Sequence, residues 1–169
     1  MQISRLLVCA VVAVMVSACG YKPLYQSGGD GGGVVAELRG IAIQEPTDRV
    51  GQLVRNKLLS SMRPAGTAGE DRFKLVLVPV VAKTLVVDQA RPGIQRWRLR
   101  LNVSYRLVDI GSGKDINAGK TFSAVSYDYV HEPIADIQAE SNALSRAAGE
   151  VGSDIHTRLA AFMSSRNGA

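Results

Sequence analysis

Little in this sequence invites covalent or redox chemistry. Cysteine occurs twice and histidine twice in 169 residues. Neither His131 nor His156 stands in a metal-ligand spacing, and no HExxH, GxSxG or paired-carboxylate pattern is present. No apolar run approaches the ~20 residues that a helix needs to cross hydrocarbon. Charge of one sign is not in large excess either. Twenty basic residues stand against 15 acidic ones, a net charge of +5, which falls well short of a basic tail or a histone-like surface. No repeat of the solenoid kind is visible. What remains is a globular composition, 46% hydrophobic and 21% charged, with the length of one ordinary domain plus a tail.

The N-terminus reads as an address. Arg5 supplies a positive charge, residues 6–16 are apolar, and the small residues Ser17 and Ala18 follow directly. Charged, apolar and small-residue regions in that order make a secretory signal, expected to cover residues 1–18. Val16-Ser17-Ala18-Cys19 resembles a bacterial lipobox, in which lipid joins the cysteine sulfur and cleavage falls just before it. Cys9 leaves with the signal, so the mature chain keeps only Cys19 and can form neither a disulfide nor a cysteine-based metal site. The expected covalent group is an N-acyl and S-diacylglycerol lipid on Cys19, with no other cofactor. Each buried methylene contributes about 0.8 kcal/mol, so a multiply acylated cysteine anchors lastingly without a spanning helix.

Residues 28–33 (GGDGGG) lack the Lys-Ser/Thr of a phosphate-binding loop and read as a flexible tether, placing the lipidated N-terminus and tether at 19–33. A single α+β domain is expected over 34–169. Val34, Ala36 and Leu38, then Ile41 and Ile43 after Gly40, suggest a first strand with a bulge at the glycine. Thr47 or Asp48 caps a helix to about Met62, with Val50, Leu53, Val54, Leu58 and Met62 on one stripe. Residues 73–88 form a valine-rich strand in which Pro79 forces a break, an edge or a bulge. Residues 95–109 give the clearest alternation, with Trp97, Leu99, Leu101, Val103, Tyr105 and Leu107 on the inward side. A hairpin loop at 111–115 leads to a partner strand over 119–130 carrying Phe122, Val125, Tyr127 and Tyr129. Pro133 opens a long final helix with Ile137, Leu144, Ala148, Val151, Ile155, Leu159 and Phe162 on its core stripe. Gly149 and Gly152 interrupt it, for close approach to the sheet or for a bend. The sum is a two-layer α+β sandwich: a four-stranded, mostly antiparallel sheet with two helices on one face, in the order β-α-β-β-β-α.

Two groups of polar residues compete for a functional reading. Asp128 and Glu132 flank His131, but no nucleophile or metal set accompanies them. Acidic groups at a strand-to-helix junction commonly serve the helix N-terminus. Arg96, Arg98 and Arg100 line one side of a strand, with Arg91 and Arg106 near in sequence. They form either a solvated outer face that protects the sheet from aggregation, or a surface whose guanidinium forks bind phosphate or carboxylate. Nucleic acid is not the expected partner of an exported, membrane-tethered chain.

Cys19-Gly20-Tyr21-Lys22-Pro23-Leu24-Tyr25 resembles the mature start of lipopolysaccharide-assembly lipoproteins of the LptE family. Val54-Arg55-Asn56-Lys57-Leu58-Leu59, Ser126-Tyr127-Asp128-Tyr129 and the run 139–162 are similar to later parts of that family. The resemblance implies a non-enzymatic protein anchored by lipid on the periplasmic side of the outer membrane. It implies a role in plugging and helping to assemble the LptD-type β-barrel that delivers lipopolysaccharide to the cell surface. A barrel lumen is polar, which suits a plug with a mixed-charge outside. The expected lipopolysaccharide contacts are Arg91, Arg96, Arg98 and Arg100. The alternatives are another outer-membrane lipoprotein adaptor, serving phospholipid transport or a cell-wall synthase, and a lipid-anchored periplasmic enzyme.

Overall fold

The alternation over 95–109 becomes one unbroken 15-residue strand, β3 (Gln95–Asp109), whose odd-numbered side chains from Leu99 to Leu107 are all buried. The computed structural model describes residues 30–64, 69–86 and 95–167. Signal, Cys19 and Arg91 lie outside these. β3 pairs antiparallel with β2 (Phe73–Val86) on one side and β4 (Asp115–Tyr129) on the other. A three-residue strand, β1 (Ile41–Ile43), joins β2 in parallel, giving the order β1-β2-β3-β4. The mostly antiparallel sheet is thus as expected. β1 covers only Phe73–Leu75, so β2 is an edge strand at Pro79, which satisfies the missing N–H without a break.

The β3–β4 turn is tight. Gly113 has φ +68°, a left-handed conformation that glycine adopts without a Cβ clash. The Asp109 carboxylate accepts hydrogen bonds from the Ser112 N–H (2.7 Å) and Oγ (2.8 Å), and these bonds hold it below the usual carboxylate range.

The first strand departs from expectation. Residues 34–43 are not a single bulged strand: helix α1 (Asp30–Arg39) precedes β1, and it begins inside the stretch expected to be tether. Val34 and Leu38, four residues apart, share one helical face and are both buried. The Gly40 N–H closes the helix on the Ala36 and Glu37 carbonyls, at 3.2 and 3.0 Å. Gly40 then gives its own carbonyl to the Arg72 and Phe73 N–H groups, which docks the chain onto β2. The change of apolar phase at Gly40 is therefore a helix end, and among the described residues three helices rather than two cover the sheet.

Helix α2 (Arg49–Met62) is capped by Asp48, whose side chain accepts the Gly51 N–H at 2.6 Å. Val54, Leu58 and Met62 of the expected stripe are buried, and Val50 and Leu53 pack against them. The last helix, α3 (Pro133–Asn167), packs on β4, β3, α2 and α1. Its core stripe runs through Ala143, Ala147, Ala148, Val151, Ile155, Leu159 and Met163. Ile137 does not belong to it and is 67% exposed, because the first turns of α3 overhang the core. Gly152 does permit a close approach, but to α2: a Cβ there would sit 2.7 Å from Lys57 Cγ. No described helix is long and apolar enough to cross a membrane.

Candidate functional site

Period two sends Arg96, Arg98, Arg100 and Arg106 to the side of β3 opposite the helices, as the sequence predicts. Successive members emerge about 7 Å apart along the strand. Arg96 meets its cross-strand neighbour Asp128, with Nε 2.8 Å from Oδ1 and the fork completed at 3.4 Å. The Arg100 guanidinium lies 3.8 Å over the Phe122 ring, and its Nε donates to Asn102 Oδ1 at 3.1 Å. Arg106 pairs with Asp115 at 3.1 Å. Arg98 stands between Thr84 and Ser126 in register and makes no hydrogen bond or ion pair among the described residues. All the pairs are solvent-exposed, so each contributes at most about 1 kcal/mol to stability.

Apolar residues share this face. Phe122 is 57% exposed and lies opposite Asn102, whose other neighbour is Val80, 58% exposed; Val78 beside it is 54% exposed. Phe122 thus faces away from Val125 and Tyr127, which pack inward. The inward positions next to it are polar instead. Thr121 Oγ1 donates to Asp154 Oδ2 and Ser123 Oγ to Glu150 Oε2, each at 2.5 Å, which fastens β4 to α3. The Thr121 bond, assisted by Arg158, holds the Asp154 carboxyl below its ordinary range. Chemically the outer face is a mosaic of guanidinium groups and apolar patches, suited to a large amphiphile or a protein wall.

A second feature lies at the far end of the sheet from β1. There the N-terminal turns of α3 overhang the ends of β2, β3 and β4 and form with them a solvent-open cavity of about 380 Å³. Its walls include Lys83, Trp97, Tyr127, Tyr129, Asp136 and Glu140. Lys83 is ion-paired with Glu140, and the Tyr127 hydroxyl donates to Glu140 Oε2 at 3.4 Å. Asp136 Oδ1 accepts the Val130 N–H at 2.9 Å, which ties the strand end to the helix start. Sequence reasoning missed this site. Trp97 and Tyr127 were legible as inward residues, but their meeting with Asp136 depends on how α3 crosses the sheet.

The geometry gives no support to acid–base chemistry at His131. Asp128 turns to Arg96 on the outer face, while His131, at φ +62°, sets its ring edge-on to Tyr129 at 5.0 Å. Among the described residues, no three metal-ligating groups come together. His156 is half-buried beside Lys57; burial, then that charge, pushes its pKa below the ordinary value.

The family model for lipopolysaccharide-assembly LptE proteins matches residues 38–159. A solved structure of a candidate lipoprotein from Caulobacter crescentus is similar, with a TM-score of 0.63 and 28% identity. That similarity covers 80% of this chain and 98% of the other. A minor lipoprotein from Acinetobacter baumannii shares the fold at 17% identity and a TM-score of 0.53, over 72% of this chain and 88% of its own. A comparison with curated proteins gives no significant match.

Proposed function

Since the chain belongs to the LptE family of lipopolysaccharide-assembly proteins, we propose that it is a lipid-anchored plug and assembly partner of the outer-membrane β-barrel that delivers lipopolysaccharide. In this reading residues 1–18 are removed and Cys19 carries the acyl groups. The domain hangs on the periplasmic side of the outer membrane, held by the anchor. Arg96, Arg98 and Arg100, with Arg91 shortly before them in sequence, meet the phosphates of lipopolysaccharide. The role is one of binding and assembly, with no catalysis.

The observation that carries the reading, beyond family membership, is the outer face of the sheet. Guanidinium groups about 7 Å apart can engage several phosphates of one glycolipid head. The exposed Val78, Val80 and Phe122 alongside offer contact to hydrocarbon or to apolar wall residues. Charge-assisted bonds contribute roughly 1.5–3 kcal/mol each before salt and water discount them. The competing role for the same arginines is pairing with acidic groups on the barrel wall.

A pull-down from detergent-solubilised outer membranes tests both. The wild-type chain should bring down a large β-barrel, and an Arg96/Arg98/Arg100 triple Ala variant should bind lipopolysaccharide at least tenfold more weakly and with a flatter salt dependence. Unchanged lipopolysaccharide affinity would remove the site. Unchanged lipid binding with weakened barrel recovery would reassign the face to the protein interface. Cys19→Ala should leave unacylated precursor or soluble chain, read by intact-mass spectrometry.

A further inference from the structure

We propose that the cavity under the first turns of α3 receives a protonated amine or a guanidinium group, which donates to Asp136 beside the rings of Trp97, Tyr127 and Tyr129. At about 380 Å³ the cavity is within the size range of small-molecule sites. Asp136 is only 6% exposed, and its two oxygens are unequal. Oδ1 is occupied by the Val130 N–H, whereas Oδ2 is buried with no hydrogen-bond partner among the described residues. A buried carboxylate oxygen left in that state is costly; it is closed to solvent here, so a donor in the cavity restores the loss with a small shift of the first turn of α3.

Charge selects the donor. Lys83 is already engaged by Glu140, and the other basic group on the wall is the His131 imidazole, so the cavity's two carboxylates face one lysine cation and one imidazole. The Tyr127 phenol registers the balance: its pKa is raised by burial first, then by Glu140, with Asp136 adding to the same effect. Aromatic faces attract cations in addition, and most strongly for tryptophan. The N-terminus of a helix ordinarily favours an anion, but in α3 that role is filled by Asp136 itself, in the first turn. Ile137, exposed at the cavity wall, supplies apolar surface for the methylene stem of an amine. The cation is borne either on a free alkylamine or on a lysine or arginine side chain of a partner polypeptide; the recognition chemistry is the same. The site is separate from the arginine face, so failure of one leaves the other standing.

Trp97 is the only tryptophan in the chain and lines the cavity, so its emission reports occupancy. The detergent-solubilised full chain is titrated with n-butylammonium, n-butanol, butyrate and the peptide acetyl-Gly-Lys-Gly-amide. The expected result is a saturable change with n-butylammonium, at least tenfold tighter than with n-butanol, and none with butyrate. Asp136→Asn keeps an oxygen for the Val130 N–H but removes the charge, and should weaken n-butylammonium binding at least tenfold. Should that variant not fold, Tyr129→Leu, which leaves the Val130 bond intact, should weaken it at least threefold. A tenfold preference for the peptide assigns the site to a polypeptide side chain; equal affinity assigns it to a free amine. No saturable response to n-butylammonium, equal binding of n-butanol, binding of butyrate, or unchanged affinity in the folded variant would overturn the proposal.

Discussion

Gly149 and Gly152 sit three positions apart on α3 and should answer an added methyl group in opposite directions. Nothing lies within 4 Å of a Cβ at Gly149, so Gly149→Ala should stabilise by about 0.5–1 kcal/mol through helix propensity alone. At Gly152 the new Cβ would meet Lys57 Cγ at 2.7 Å and Cβ at 3.1 Å, close to the lysine's backbone end where little relief is possible. Gly152→Ala should cost about 1–3 kcal/mol, and urea melts of the pair read both signs. His156 gives the residue-scale pH dependence. Its folded pKa lies below the ordinary 6.5, so on acidification the unfolded chain takes up the proton first. Stability should therefore fall as pH drops below about 6.5, down to the lower folded value. His156→Gln should flatten that interval of the stability curve, measured by thermal melts across pH 7.5 to 5.

At the scale of elements, β3 and α1 show what a pattern can and cannot reveal. Period two over 15 residues admits only a half-buried strand, and Leu101 is buried while Asn102 faces the solvent side. Leu101→Ala should cost roughly 2–5 kcal/mol, and Asn102→Ala no more than about 0.5, in denaturant melts. Equal costs would contradict the facing. Residues 34–38 are a different case. Val34, Ala36 and Leu38 satisfy a strand, while Val34 and Leu38 alone satisfy a helix, and five residues cannot separate the two periods. Packing separates them: as a helix the segment sets both side chains in the core shared with α3. The cavity was illegible for a related reason. Lys83, Trp97, Tyr127 and Asp136 come from four elements, and their convergence is set by strand register and by the overhang of α3, neither of which the sequence spells out.

At the scale of the molecule, one continuous core underlies the seven elements of the described residues, from Val34 and Ile41 to Met163. α3 runs along its entire length, antiparallel to β4: Glu140 meets Tyr127, Glu150 meets Ser123, and Asp154 meets Thr121. Its 35 residues extend about 52 Å, and the 15 residues of β3 about 50 Å. The helix and the sheet it braces are therefore matched in length. One end of α3 roofs the cavity, and at the other Arg166 lies 4.9 Å over the ring of Phe73, where β1 joins. In mechanical terms α3 is a tie-rod. One continuous helix joins the cavity end of the domain to the end where β1 pairs, with no loop between them.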